Sequence, residues 1–291
     1  MASLKKNLPK NVTGEFFVDS TCINCDACRQ LAPDTFDEAD DYSYVYAQPQ
    51  NDEQKHMAIR ALLACPTGSI GTRGTNNSKD VIHDFPLPIE GEVYYCGFNS
   101  PNSFGGNSYF IMHPEGNWLI DSPKFLPHLA KAFEERGGIR YIFLTHRDDV
   151  AEAHRYAERF QSQRIIHKLE LSAQPGAEIV LEGDTPVQLF PEFLAIPTFG
   201  HTRGHTVLLY KNYFLFTGDH LWWSRKKNSL SASQDVCWYS WPDQIKSMEK
   251  LQQFQFEWVL PGHGERAKLE PIMMQRQLTT LVNRMAEQID G

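Results

Sequence analysis

No apolar run in this 291-residue chain approaches the ~20 residues that cross a bilayer. Met1 to Lys10 carry no apolar stretch either, so the start does not read as a secretory leader. An excess of positive charge is missing: 28 Lys and Arg face 36 Asp and Glu, for a net charge of −8. That balance argues against nucleic acid as a partner, because such binding needs a basic surface to displace counterions. Internal repeats and low-complexity tracts are also absent. Cysteine is sparse, with six residues, and their grouping does not suggest a secreted disulfide framework. These absences lead us to expect a cytoplasmic protein acting on a small-molecule substrate, with neither membrane nor nucleic acid as partner.

The cysteines are few but strongly patterned. Cys22, Cys25 and Cys28 stand two residues apart, and Cys65 follows with Pro66 behind it. Three thiolates at that spacing can wrap one corner of an iron–sulfur cluster, with the fourth arriving from elsewhere. The alternative is structural zinc, though zinc sites usually pair two such knuckles or add histidines. The stretches Cys22-Ile23-Asn24-Cys25-Asp26-Ala27-Cys28 and Ala64-Cys65-Pro66-Thr67-Gly68-Ser69-Ile70 resemble the single-cluster bacterial ferredoxins over about residues 12–75. That resemblance implies one [4Fe–4S] cluster on Cys22, Cys25, Cys28 and Cys65. Cys96 and Cys237 remain, and both read as small buried apolar residues.

Small and polar residues fill positions 71–80, which read as a linker. The expected domains are 1–80 and 81–291. Beyond the linker, strands and helices alternate. Strands are expected at Glu92–Phe98, Ser108–Met112, Trp118–Ile120, Ile139–Leu144, Arg164–Leu169, Glu178–Leu181, Val187–Ile196, Val207–Tyr210, Tyr213–Phe216 and Trp258–Leu260. Helices are expected at Phe125–Glu135, Val150–Gln161, Asp243–Phe254 and from Arg266 onward.

Several of these strands end in chemistry: Leu144-Thr145-His146, Gly200-His201-Thr202-Arg203-Gly204-His205, Thr217-Gly218-Asp219-His220 and Pro261-Gly262-His263-Gly264. In this order, the segments resemble the metallo-β-lactamase superfamily, including glyoxalase II-like thioesterases and flavodiiron proteins, over about residues 90–265. The resemblance implies an α+β chain: a small ferredoxin-like domain followed by a four-layer α/β/β/α sandwich. It also implies one or two iron or zinc ions held by His146, Asp148, His201, Asp219 and His263, with Asp219 the central catalytic carboxylate.

One stretch departs from the family. Where the pattern asks for His-x-His-x-Asp-His, the chain reads His146-Arg147-Asp148-Asp149-Val150-Ala151. Asp148 fills a histidine slot, as a carboxylate does in flavodiiron proteins, and favours harder metals such as iron. Val150 and Ala151 cannot coordinate. Asp149 has two readings, a displaced ligand or the start of a capping box ending at Glu152. His154 is expected to point inward, as a core residue or toward the metal pocket.

His205 and His220 read as neighbours supporting the ligands. The aromatic stretch Trp222-Trp223 and Trp238-Tyr239-Ser240-Trp241 reads as core or as a pocket wall, and Arg203 as a candidate fork for a substrate carboxylate. Two activities fit: electron transfer from the cluster to a non-haem iron centre, with a redox protein as possible partner, or metal-dependent hydrolysis of an ester, thioester or lactone. Flavodiiron proteins carry a flavin domain, and no flavodoxin-like segment is present here. A third reading makes the second domain a scaffold without catalysis.

Overall fold

A computed structural model describes residues 2–287. The chain forms two compact units, the first ending at Ile139 and the second beginning at Arg140.

In the first unit, Phe16–Val18 pairs antiparallel with Ile70–Thr72, and Phe36–Glu38 forms a hairpin with Ser43–Val45. The helix Asp52–Ala64 starts on Asn51, whose side chain accepts the Gln54 N–H at 2.9 Å, and two acidic residues favour its positive end. Its buried residues Ala58, Ile59, Ala61 and Ala64 share a core with Phe16, Val18, Phe36 and Val45. The helix ends where Pro66 forces its predecessor out of the helical region: Cys65 adopts ψ 119. The proline thus both stops the helix and turns the fourth cysteine out of it.

Four further strands follow in antiparallel succession: Leu87–Glu90, Val93–Tyr95, Tyr109–Ile111 and Trp118–Ile120. The helix Pro127–Glu135 buries Leu129, Ala130 and Phe133, and the Phe133 ring lies 4.8 Å from Phe110. The compact unit therefore reaches well past residue 80. The reason is local bonding: Asn99 N–H donates to Ala64 O at 3.2 Å, and Lys124 Nζ to Pro66 O at 2.7 Å. The stretch expected as a bare linker is partly structured, with Gly71 and Thr72 in a strand and Ser78–Val81 helical around a buried Val81.

The second unit opens with the parallel strands Tyr141–Phe143, Gln163–His167 and Ile179–Leu181. Six more strands run in the order Val187–Phe190, Phe193–Pro197, Thr206–Tyr210, Phe214–Gly218, Trp258–Pro261, Ala267–Lys268. The fourth and fifth of these are parallel, and the helix Trp241–Leu251 lies between them in sequence. Ile245, Met248 and Leu251 of that helix pack with Met274, Leu278, Leu281 and Met285 of the helix Pro271–Glu287 and with Val207, Leu209, Leu215 and Val259 of the sheet.

Three expected elements change. Val187–Ile196 is a hairpin rather than one strand, because Pro191 supplies no N–H to continue the ladder. The last helix starts at Pro271, a favoured first helical position, after a short strand at Ala267–Lys268. The helix after His146 starts at Ala153, with Glu152 and not Asp149 before it, and a 3₁₀ turn covers Arg147–Asp149.

Candidate metal centres

The first candidate centre lies wholly within the first unit. Cys22, Cys25, Cys28 and Cys65 border one cavity with Val18, Ile23, Ile70 and the hydroxyl residues Ser43, Thr67 and Ser69. Asn24 and Asp26 both take left-handed backbone conformations, φ 56 and 73, which wind the seven-residue loop tightly. Cys22 Sγ accepts N–H bonds from Asn24 and Ser43 at 3.5 and 3.4 Å, and Cys65 Sγ accepts one from Ser69 at 3.3 Å. Such bonds stabilise thiolate sulfur.

Burial pushes the Cys25 thiol up to about 12, and burial likewise raises Cys28. Thiols in so apolar a setting ionise readily only against a cationic partner such as iron. Among the described residues, the groups of three metal-type side chains gathered within 4.8 Å of one another lie in the second unit.

Two residues that sequence spacing did not flag hold this cradle. Buried Arg29 bridges the cysteine loop and the hairpin, donating to Asp26 Oδ1 at 2.9 Å, to Asn24 Oδ1 at 2.7 Å and to the Ser43 hydroxyl. Gly105 fits against the ligand loop: a Cβ there would sit 2.6 Å from Cys25 Cβ, at a backbone φ of +88.

The second candidate centre forms at strand ends of the second unit. His146 follows the strand Tyr141–Phe143, Asp219 follows Phe214–Gly218, and His263 follows Trp258–Pro261; His201 lies between Phe193–Pro197 and Thr206–Tyr210. Asp219 Oδ2 stands 3.6 Å from His146 Nε2 and 3.7 Å from His201 Nε2. Asp148 Oδ2 is 3.9 Å from both imidazoles. Donors placed 2.0–2.2 Å from one tetrahedral ion lie about 3.3–3.6 Å apart, and each of these four imidazole–carboxylate distances is within a few tenths of an ångström of that spacing.

Protonation suits the same role. Burial, then His146, lowers the His201 imidazole to about 4, so it is neutral. Burial works to raise the Asp219 carboxyl, but His263 and His146 beside it hold it well below the usual range. Neutral imidazoles and an ionised carboxylate are the forms that bind metal.

Asp149 belongs here too. Its side chain is buried, and it groups with His146 and Asp219 within 4.8 Å. It does not cap the following helix, which corrects the capping-box reading. Gly262 makes the room: a Cβ there would lie 2.4 Å from Asp149 Oδ2 and 2.7 Å from Asp219 Oδ1. His263 Nδ1 is hydrogen-bonded to Asp219 Oδ1 at 2.7 Å. His154 is exposed, so the inward placement expected for it is wrong: with the helix starting at Ala153, Tyr156 and Ala157 take the buried face.

The supporting histidines are close by. His205 is buried, its ring 5.1 Å from His146, with Thr198 Oγ1 2.9 Å from its Nδ1. His220 stacks on it at 5.3 Å and is also buried. Glu170 went unnoticed in the sequence. It is buried, accepts the Gly204 N–H at 2.6 Å and pairs with Arg147 at 3.1 Å, and so ties the His201 loop to the His146 loop.

Comparison with known proteins follows this division. Residues 18–72 match the model of the 4Fe-4S single cluster domain of Ferredoxin I. A hydroxyacylglutathione hydrolase of Salmonella arizonae is 29% identical over 127 residues, 42% of this chain and 50% of that protein; the chain thus spans about half of its length. The metallo-β-lactamase FIM-1 from Pseudomonas aeruginosa, solved in a mono-zinc form, superposes with a TM-score of 0.53 at 19% identity, covering 69% of this chain and 94% of that one. A metallo-β-lactamase from Pontibacter korlensis gives 0.50 at 18% identity, covering 68% and 97%. The protein joins a ferredoxin-type [4Fe–4S] domain to a domain of metallo-β-lactamase fold.

Proposed function

We propose that this chain is a metalloenzyme in which a [4Fe–4S] module, residues 1–80, serves a non-haem iron site in residues 81–291 that transforms a small molecule. The observation that carries this reading is the donor set, two imidazoles each 3.6–3.9 Å from two carboxylates, on the same chain as a four-thiol cradle. Mixed nitrogen and oxygen donors suit iron(II), and Asp148 in place of a histidine moves the preference further from zinc. A cubane supplies single electrons, and iron with open positions supplies redox chemistry on a bound substrate.

In this reading His146, His201, Asp219 and Asp148 hold one ion, and Asp149 with His263 serve a second ion or steady the first. Asp148, half exposed, sits at the mouth, where an oxygen ligand can yield to substrate. Asp219 turns one oxygen toward the imidazoles, and the His263 ring at its other oxygen fixes its orientation. The buried His205 and His220 keep water from the inner side of the ligands. A partner redox protein would supply the electrons.

A second reading, hydrolysis of an ester, thioester or lactone, is favoured by the hydroxyacylglutathione hydrolase relative. There Asp219 would hold the metal and orient its water. Elemental analysis with EPR, on the intact protein and on a Cys22/Cys25/Cys28→Ala variant, separates the two. Redox function predicts iron beyond the cluster's, reducible only when the cluster is present. Stoichiometric zinc with full thioesterase activity in the variant would leave hydrolysis as the account.

A further inference from the structure

One exposed aromatic surface in the second unit is not used by the ligands. Trp238 is 67% exposed, Tyr239 47% and Val236 39%. A large aromatic side chain left in water forgoes much of its burial energy, which is more often seen where a ligand covers it.

The backbone beneath these side chains is fixed. Trp238 N–H donates to His201 O at 2.9 Å, Ser240 N–H to Gly200 O at 2.9 Å, and Cys237 Sγ to Gly200 O at 3.2 Å. The segment is thus strapped to the loop that carries a candidate ligand, and the Trp238 ring stands 6.3 Å from the His201 imidazole. A rigid, exposed aromatic face beside the metal donors is already in the form needed to bind.

A cation completes the surface. Arg203, two residues after His201, is exposed and rests over the Tyr239 ring at 5.4 Å. Among the described residues no carboxylate pairs with it. A stacked guanidinium keeps its forked N–H donors in its own plane, free for a planar anion.

We propose that Trp238, Tyr239 and Arg203 form the recognition wall of this site, selecting a small carboxylic acid whose flat apolar group lies over Trp238 while its carboxylate meets Arg203. This deepens the preceding reading and rests on it, since the wall is useful only if the neighbouring donors hold a metal that acts on the bound molecule. The two parts of the wall make separable demands: the ring asks for an apolar face, and the guanidinium asks for negative charge.

The test is calorimetric titration of the full, metal-loaded chain with 3-phenylpropionate and with its neutral amide. The acid should bind more tightly than the amide. Arg203→Gln should weaken the acid about tenfold and leave the amide unchanged, as loss of a charge-assisted bond requires. Trp238→Ala should weaken both probes about fivefold, and Trp238→Phe should recover most of that loss. Equal affinity for acid and amide, no measurable binding of either, or wild-type affinities in both variants would overturn the proposal. Metal content is measured on the same samples and on Asp219→Asn: full metal in Asp219→Asn would sink the underlying reading without altering the probe titrations.

Discussion

The thiol cradle and the imidazole–carboxylate centre solve the same problem in opposite ways. Three of the four thiols come from one seven-residue loop, and the fourth is delivered by a helix end that a proline enforces. The second centre draws on residues 146 to 263, one or two from each of several strand ends, so its geometry exists only once the sheets have formed. The first site is made by local chain conformation, and the second by tertiary structure. A local site should fail abruptly on loss of one ligand and leave its neighbour intact. A dispersed site should be sensitive to groups that never touch metal.

The largest expected effect comes from the local side. Cys28→Ala should abolish the visible absorption of the cluster, because burial leaves no water or alternative thiol to replace the missing ligand. Metal at the second centre, by elemental analysis, should stay within error of wild type. Loss of both metals together would break the comparison.

On the dispersed side, Gly262→Ala tests geometry without removing a donor. The added methyl would sit within 3 Å of both Asp149 and Asp219 oxygens, so those carboxylates must move. Metal affinity at the second centre should fall roughly 10- to 100-fold, the range seen when supporting contacts are lost. A competitive chelator titration measures it. Unchanged affinity would mean that Asp149 and Asp219 are not set by the Gly262 approach.

Asp148→His sharpens the chemical half of the contrast. It restores a histidine at a slot where oxygen now stands, and a third imidazole favours zinc over iron. The zinc-to-iron ratio after growth in medium holding equal amounts of both should rise about tenfold. A ratio equal to wild type would show that Asp148 does not reach the ion.

What was legible in the sequence follows the same split. The cysteine spacing specifies its loop directly, and Pro66 announces the end of the helix before it. Strand-tip histidines were readable because glycines and short apolar runs mark where strands stop. Asp149 was not, since a carboxylate three residues before a glutamate reads equally well as a cap. Only the 3₁₀ turn at Arg147–Asp149, which delays the helix to Ala153, turns it inward. The same delay carries His154 to the exposed face. Arg29 and Glu170 left no trace because a lone charged residue is ordinarily solvated. The one signal available for them is the apolar company beside them, Ala27-Cys28 before Arg29 and Leu169 and Leu171 around Glu170.

The smallest effect probes the scaffold around the local site. Asp84 accepts from Arg60 Nε at 2.6 Å and lies 2.5 Å from His56 Nε2, joining the helix Asp52–Ala64 to the turn at Ile82–Asp84. Burial works to raise its carboxyl, but hydrogen bonds from His56 and Arg60 hold it below the ordinary value. A carboxyl depressed in the folded state adds stability above its unfolded pKa of about 3.9 and loses it as pH falls through the folded value. Asp84→Asn should therefore lower stability by at most about 1 kcal/mol at pH 7, since the pair is partly exposed. The deficit should be smaller at pH 4 than at pH 5, because the unfolded carboxyl takes up its proton across that interval before the folded one does. Thermal melts of the cluster-loaded protein at the two pH values measure it. A deficit no smaller at pH 4 than at pH 5 would mean that the carboxylate is not depressed and that the turn is held by other contacts.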